Sequence, residues 1–247
     1  MSIAENLTTI AENVPKVYEA GKQKEWSDFW DMYQENGTRV NYENAFYYTY
    51  WNEKTFKPKY DITPTNSRNM FGYFSRYHNY NCDLADLLNK CGVKLDTSNA
   101  TNVVGMFQYS RIYRIPELDL RKATNLESLI RSDYVETVDK IILNDIGNQY
   151  FAIAFIDSTA LKNIEFEGVI GQDMDFKVCP LSVASFKNII EHLKDYNGTA
   201  DEYKKTLTVK TSAFNAIEAE GATAEYNGTA CTWAELIGFK KWNLVKA

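Results

Sequence analysis

The stretch Lys94-Leu95-Asp96-Thr97-Ser98-Asn99-Ala100-Thr101-Asn102 returns as Glu117-Leu118-Asp119-Leu120-Arg121-Lys122-Ala123-Thr124-Asn125, 23 residues further on. The same offset matches Met106 with Leu129, Phe107 with Ile130 and Ile115 with Val138. Ile141-Ile142-Leu143 opens a third copy and Asn163-Ile164-Glu165-Phe166 a fourth, since Leu118, Ile141 and Ile164 are again 23 apart. Beyond their opening residues these last two copies match poorly. Upstream, Asn69-Met70-Phe71 resembles Gly105-Met106-Phe107 at a spacing of 36, which is 23 plus an insertion of 13. Leu84, Leu87, Leu88 and Cys91 recur at helical spacing inside that insertion, with Gly92 at the stop.

A period of about 20–29 residues, with a short apolar strand followed by Asn, is the arithmetic of a leucine-rich repeat. Such a unit cannot bury its apolar face alone and must stack on its neighbours. Asn102 and Asn125 are placed to bond the backbone of their own turns. Working outward, Ile3, Leu7, Ile10, Val14 and Val17 form an a/d seam just over two heptads long, which Pro15 interrupts. Two helices are expected, about 2–13 and 16–35, the second ending at Asn36-Gly37. They form an oligomerisation or docking stalk, or else pack on the chain's own body. Towards the other end, Ser182 caps an amphipathic helix through Val183, Phe186, Ile189, Ile190 and Leu193, with Asn197-Gly198 as its stop. A strand is expected at 206–210, a helical turn at 233–237 and a last strand at 242–245.

The expected fold is therefore α+β: an N-terminal helical stalk, a short leucine-rich-repeat-like β-solenoid with inserted helices, and a C-terminal α/β cap. The divisions are 1–37 (helical segment), 38–60 (aromatic-rich N-terminal cap), 61–178 (repeat body) and 179–247 (C-terminal cap).

Composition narrows the function. The chain has 247 residues and a net charge of −6, without the basic footprint of a nucleic-acid binder. At 45% hydrophobic it can build a core, and it has no run of apolar residues long enough to span a membrane. Residues 1–16 lack the basic start and apolar run of a secretory signal. Cys82, Cys91, Cys179 and Cys231 have no zinc or redox spacing and read as buried thiols. His78 and His192 sit in no catalytic motif, and no phosphate loop or dinucleotide fingerprint occurs. Asp96 and Asp119 occupy repeat positions and read as turn residues. No catalytic residue, cofactor or metal is expected, although carboxylate pairs for glycan hydrolysis are spatial and leave a glycan-degrading enzyme as a minor rival.

Aromatic residues reach 14%, with 17 Tyr. Tyr47, Tyr48, Tyr50 and Trp51 follow Phe46, and Tyr73, Phe74, Tyr77, His78 and Tyr80 form a second cluster around Arg76. Flat rings with polar tips suit sugar faces and protein interfaces. Tyr73, Tyr77, Tyr80, Tyr47 and Trp51 are the candidate contact residues. The alternative is packing, with Phe46, Tyr48 and Tyr50 covering an open end of the solenoid.

Glu25–Gly37 (EWSDFWDMYQENG), Trp51–Pro64 (WNEKTFKPKYDITP) and Cys179–Thr199 (CPLSVASFKNIIEHLKDYNGT), together with the repeat, resemble BspA-like leucine-rich-repeat proteins of gut Firmicutes and their tailed phages. The resemblance implies a binding or structural role. With no export signal it implies a phage virion protein, a tail-fibre or baseplate appendage that assembles in the host cytoplasm. By analogy with phage fibres it implies a homotrimer. Partners would be other tail or baseplate proteins and a bacterial surface glycan or protein receptor, with no nucleic acid and no membrane insertion. The rival is a bacterial adhesion or protein-interaction protein of the same resemblance.

Overall fold

The computed structural model describes residues 28–49, 51, 54–76, 81–151, 153–221 and 224–247. Apolar residues alternate with polar ones in several of the strands, as a sheet with one face buried requires. Strand β5 (Asn163–Glu167) shows it plainly, with Ile164 and Phe166 buried between exposed neighbours. Strands β1 (Cys82–Asp83), β2 (Ile112–Ile115), β3 (Leu118–Asp119), β4 (Thr137–Ile142) and β5 form one parallel sheet. Both β2 and β3 pair with β4, and Pro116, which cannot donate to a ladder, stands in the break between them.

A second parallel sheet has the order β10 (Asn243–Lys246), β7 (Thr206–Val209), β6 (Met174–Phe176). A hairpin joins β8 (Ala224–Tyr226) to β9 (Thr229–Cys231). Its two-residue turn, Asn227-Gly228, has both φ angles positive, as the twist of a tight hairpin demands. Residues 28–33 are helical. The other helices are short: α1 (Leu84–Cys91), α2 (Val183–His192), α3 (Thr211–Ala219) and α4 (Trp233–Phe239). Their ends carry explicit caps. Asp83 accepts from the Asp86 amide and Gly92 (φ 69°) closes α1, while Ser182 caps α2. Thr232 and Glu235 exchange side-chain bonds at the start of α4.

Parallel sheets are normally covered on both faces. Here one face of the larger sheet is open to water and carries charge paired across strands. Arg114 forks onto Asp139 (2.8 and 3.1 Å), and Lys140 lies between Glu165 and Glu167. The exposed edge of β5 is closed by side chains of α2. Ser185 Oγ accepts from the Ile164 amide (2.9 Å), and Asn188 both accepts from Phe166 N and donates to Phe166 O. A helix thus satisfies the backbone groups that would otherwise recruit another strand.

This architecture corrects the expected fold class. The molecule is α/β, its sheets are mostly parallel, the larger one is curled, and the helices are short; among the described residues there is no helical stalk. The 23-residue spacing does exist as pairing register, since Ile115 faces Val138 and Leu118 faces Ile141. It does not persist: the register shifts within β4, and Ile141 faces Phe166 rather than Ile164. Equal spacing at two sites therefore reflects the common register of β2 and β3 against β4, not a regular leucine-rich-repeat solenoid. The seam Ile3, Leu7, Ile10, Val14 and Val17 lies outside the described residues.

Other boundaries move as well. Trp30 is fully buried, and Gln34 pins the backbone of Lys59 and Tyr60, so residues 28–37 pack into the body. The division at 178/179 separates β6 from its partner β7. Helix α2 ends at His192, before Asn197-Gly198, because Leu193 turns extended (ψ 132°) to pair with Ile170.

Candidate functional site

Beside the strands, the chain makes a stack of turns at 42–48, 67–73, 103–109 and 126–131. Alternate amides of each turn donate to carbonyls of the next. Asn44 N meets Arg68 O (2.9 Å), Phe46 N meets Met70 O (2.8 Å), Asn69 N meets Val104 O (2.9 Å) and Phe71 N meets Met106 O (2.8 Å). Gly105, Phe107 and Tyr109 donate in the same way to Glu127, Leu129 and Arg131. This is the ladder of a parallel sheet made with a non-extended backbone. Two positions in each of the first three turns take positive φ, Asn44 and Tyr48, Asn69 and Tyr73, Gly105 and Tyr109, and the fourth turn has one, Ser128. Asparagine and glycine tolerate that region, whereas a tyrosine there costs about 1 kcal/mol or more. Gly105 is required for a second reason, since a Cβ there would collide with Asn69 Oδ1 and Gln108 Nε2.

What offsets the strain is stacking between equivalent positions. Inside, Phe46, Phe71 and Phe107 form a buried column, with centroids 4.9 and 5.4 Å apart and ring planes within 20°. Outside, Tyr48, Tyr73 and Tyr109 form a second column at 4.5 and 5.0 Å. Tyr47 stands edge-on to both Tyr48 and Tyr73, its ring packed over Gly72. Arg76 and Arg131 flank Tyr109 with guanidinium carbons 5.0 and 5.1 Å from its centroid. Arg131 is held by Asp157 (2.6 Å), a bond that raises the guanidinium pKa above its ordinary value, and Arg76 approaches Asp133 (3.9 Å). A row of amides runs across the same turns: Asn69 Nδ2 donates to Asn44 Oδ1 (3.1 Å), and Gln108 Nε2 donates to Asn69 Oδ1 (2.8 Å).

The turns are secured by Asn and Asp side chains that accept the amide two residues on. Asn41, Asn66, Asn102 and Asn125 do so at 2.9–3.4 Å. Asp96 and Asp119 do the same at 3.0 and 3.2 Å, which gives both the turn role expected of them. Bonds from Ser98 hold the Asp96 carboxyl below its usual pKa, and bonds from Arg121 do so for Asp119.

Of the expected contact residues, the structure brings Tyr47 and Tyr73 together on the turn face. Trp51 goes elsewhere, into an aromatic cluster with Phe29, Trp30 and Phe56. Tyr77 and Tyr80 lie outside the described residues. Tyr48, Tyr109 and the amide row were missed. The signal for Tyr109 was present, because the offset of 36 that relates Phe71 to Phe107 also relates Tyr73 to Tyr109. Tyr48 belongs to a turn, so it points outward (52% exposed) while Phe46 is buried, although a strand reading puts them on one face.

A cleft of about 310 Å³ on the strand face is lined by Thr137, Asp139, Asn163, Glu165, Ser185 and Asn188. Its polar groups are committed: Ser185 and Asn188 to β5, and Asp139 to Arg114. Among the described residues, no cluster of three or more His, Cys, Asp or Glu is placed to hold a metal, and no helix is long and apolar enough to cross a membrane. Compared with protein-family models, with curated proteins and with solved structures, the chain matches none of them.

Proposed function

We propose that the chain is a non-enzymatic binding protein of a phage virion appendage, of tail-fibre or baseplate type, and that the turn face is its contact surface. The observation that carries this reading is the row Tyr48–Tyr73–Tyr109, held on three successive turns of a hydrogen-bonded stack. Tyrosine supplies contact area and a polar tip at low entropic cost. A row that the scaffold already orders loses little more on binding. Recognition of this kind is shallow, and several copies in one appendage would turn weak contacts into avidity. The homotrimer expected from the resemblance supplies that multiplicity.

Fluorescently labelled protein should coat intact gut Firmicutes cells, and a Tyr73→Ala/Tyr109→Ala variant of unchanged melting temperature should lose most of that binding. Equal binding by both proteins, or no cell bound by either, overturns the reading.

A further inference from the structure

We infer that the turn face takes an uncharged, polyhydroxylated glycan chain lying across the turns along the tyrosine row. This inference rests on the reading of that face as the contact surface, and it names the chemistry of the ligand. The first observation is the polarity of the amide row. The bonds Asn69 Nδ2 to Asn44 Oδ1 and Gln108 Nε2 to Asn69 Oδ1 all run in one direction. Among the described residues, Asn44 Nδ2 at one end and Gln108 Oε1 at the other meet no partner. The row therefore offers a donor at its first turn and an acceptor at its third. A hydroxyl both donates and accepts, so a polyol can meet both ends. An ionised carboxylate can only accept and an ammonium can only donate, so either alone leaves one end unmet.

The second observation is charge. The guanidiniums beside the tyrosine column already face carboxylates, Arg131 on Asp157 and Arg76 towards Asp133. Of the residues preceding the first left-handed position of each turn, Glu43, Arg68 and Glu127 carry charges of both signs and Val104 carries none. The face has no single-signed field to recruit an ion.

The third observation is pitch. Tyrosines recur every 4.5–5.0 Å on the first three turns, so a ligand with a comparable repeat meets the same groups again at each of them. Tyr48 and Tyr73 stack within 18° of parallel and so occupy each other's faces. The ligand then meets ring edges and phenolic hydroxyls, not the open ring faces that sequence reasoning favoured. Tyr47, over Gly72 between Asn69 and Tyr73 in the chain, links the amide row to the phenol row.

The test is an array of purified bacterial surface polysaccharides, neutral and anionic, probed with the full-length protein. Wild type is expected to bind neutral polysaccharides. Tyr73→Phe keeps the ring and removes one hydroxyl, and Gln108→Leu removes the terminal acceptor together with the bond to Asn69. Each should weaken binding by about tenfold, the equivalent of one or two neutral hydrogen bonds. Asn69→Asp, which keeps a side chain tolerant of positive φ, should weaken it further by breaking the row. Melting temperatures report folding, and a variant that fails to fold leaves the other two to decide. Binding only to anionic glycans, or neutral binding untouched by Tyr73→Phe and Gln108→Leu, overturns the inference. A blank array with intact cell coating removes the glycan and leaves the contact surface; loss of both removes both.

Discussion

The strand side and the turn side of this molecule use the same parallel hydrogen bonding on different backbones. On the strand side, β2, β4 and β5 are extended, and the exposed residues are charged and paired across strands, as in Arg114–Asp139. On the turn side, the backbone enters the left-handed region twice in each of the first three turns, and the outward residues include tyrosines and amides beside charges of both signs. The difference teaches that a parallel ladder needs periodic amides and carbonyls more than it needs extended dihedrals. It also shows two ways of finishing an open surface. Paired charge keeps the strand side hydrated, whereas the turn side presents an ordered row of tyrosines and amides between its charges, and that favours it as the place for a ligand.

The sharpest way to break the comparison is to remove the column inside the turns. Phe71→Ala leaves a cavity between Phe46 and Phe107 and is expected to cost about 3–5 kcal/mol, read by denaturant unfolding. Gly105→Ala attacks the backbone instead. It places a Cβ at φ +64° against Asn69 Oδ1, and a loss of about 1–3 kcal/mol is expected. A change below 0.5 kcal/mol would mean that the turn relaxes freely and that the amide row is not rigid.

Arg114→Ala makes the matching cut on the strand side. The guanidinium is about half exposed, so roughly 0.5 kcal/mol is expected, falling with added salt. A loss as large as that of Gly105→Ala would make the two sides equivalent. The smallest effect is one of pH. Asp96 and Asp119 have folded pKa values below the ordinary carboxylate value, so each stabilises the fold above about pH 4. That contribution fades as pH falls from about 4 through the lower, folded value. Asp119→Asn should flatten the acid limb of a melting-temperature profile, and an unchanged limb would show that the bonds from Arg121 do not stabilise the carboxylate form.

Much of the local structure was legible, for physical reasons. Helix α2 announces itself through Ser182 and the spacing of Phe186, Ile189 and Ile190, and α1 through its leucines and Gly92. The 23-residue offset was a true register signal at Ile115 and Leu118. It misled beyond β4, because the next connection is longer: Val138 faces Ile164 and Ile141 faces Phe166, so the pairing runs at offsets of 26 and 25 rather than 23. The site was half legible. Asn and Gly advertise left-handed backbone, so Asn44, Asn69 and Gly105 could be read as turns. Tyr48, Tyr73 and Tyr109 could not, since tyrosine in that region is held by its stacked neighbours and not by local preference. Trp51 was misplaced because an aromatic residue beside tyrosines looks the same in sequence whether it faces solvent or Trp30.

Helix α1 enters the chain between two turns that remain bonded to each other, Phe71 to Met106 and Tyr73 to Gln108. The neighbouring pair, Phe107 to Leu129, is joined by a shorter connection that lacks a helix, yet its bond length is nearly the same. Length and register are therefore uncoupled at this junction. Lengthening a closed loop costs only about 0.6 kcal/mol for each doubling. The connection that carries α1 is thus a natural socket, where foreign sequence can be spliced in while the tyrosine and phenylalanine columns on either side keep their alignment.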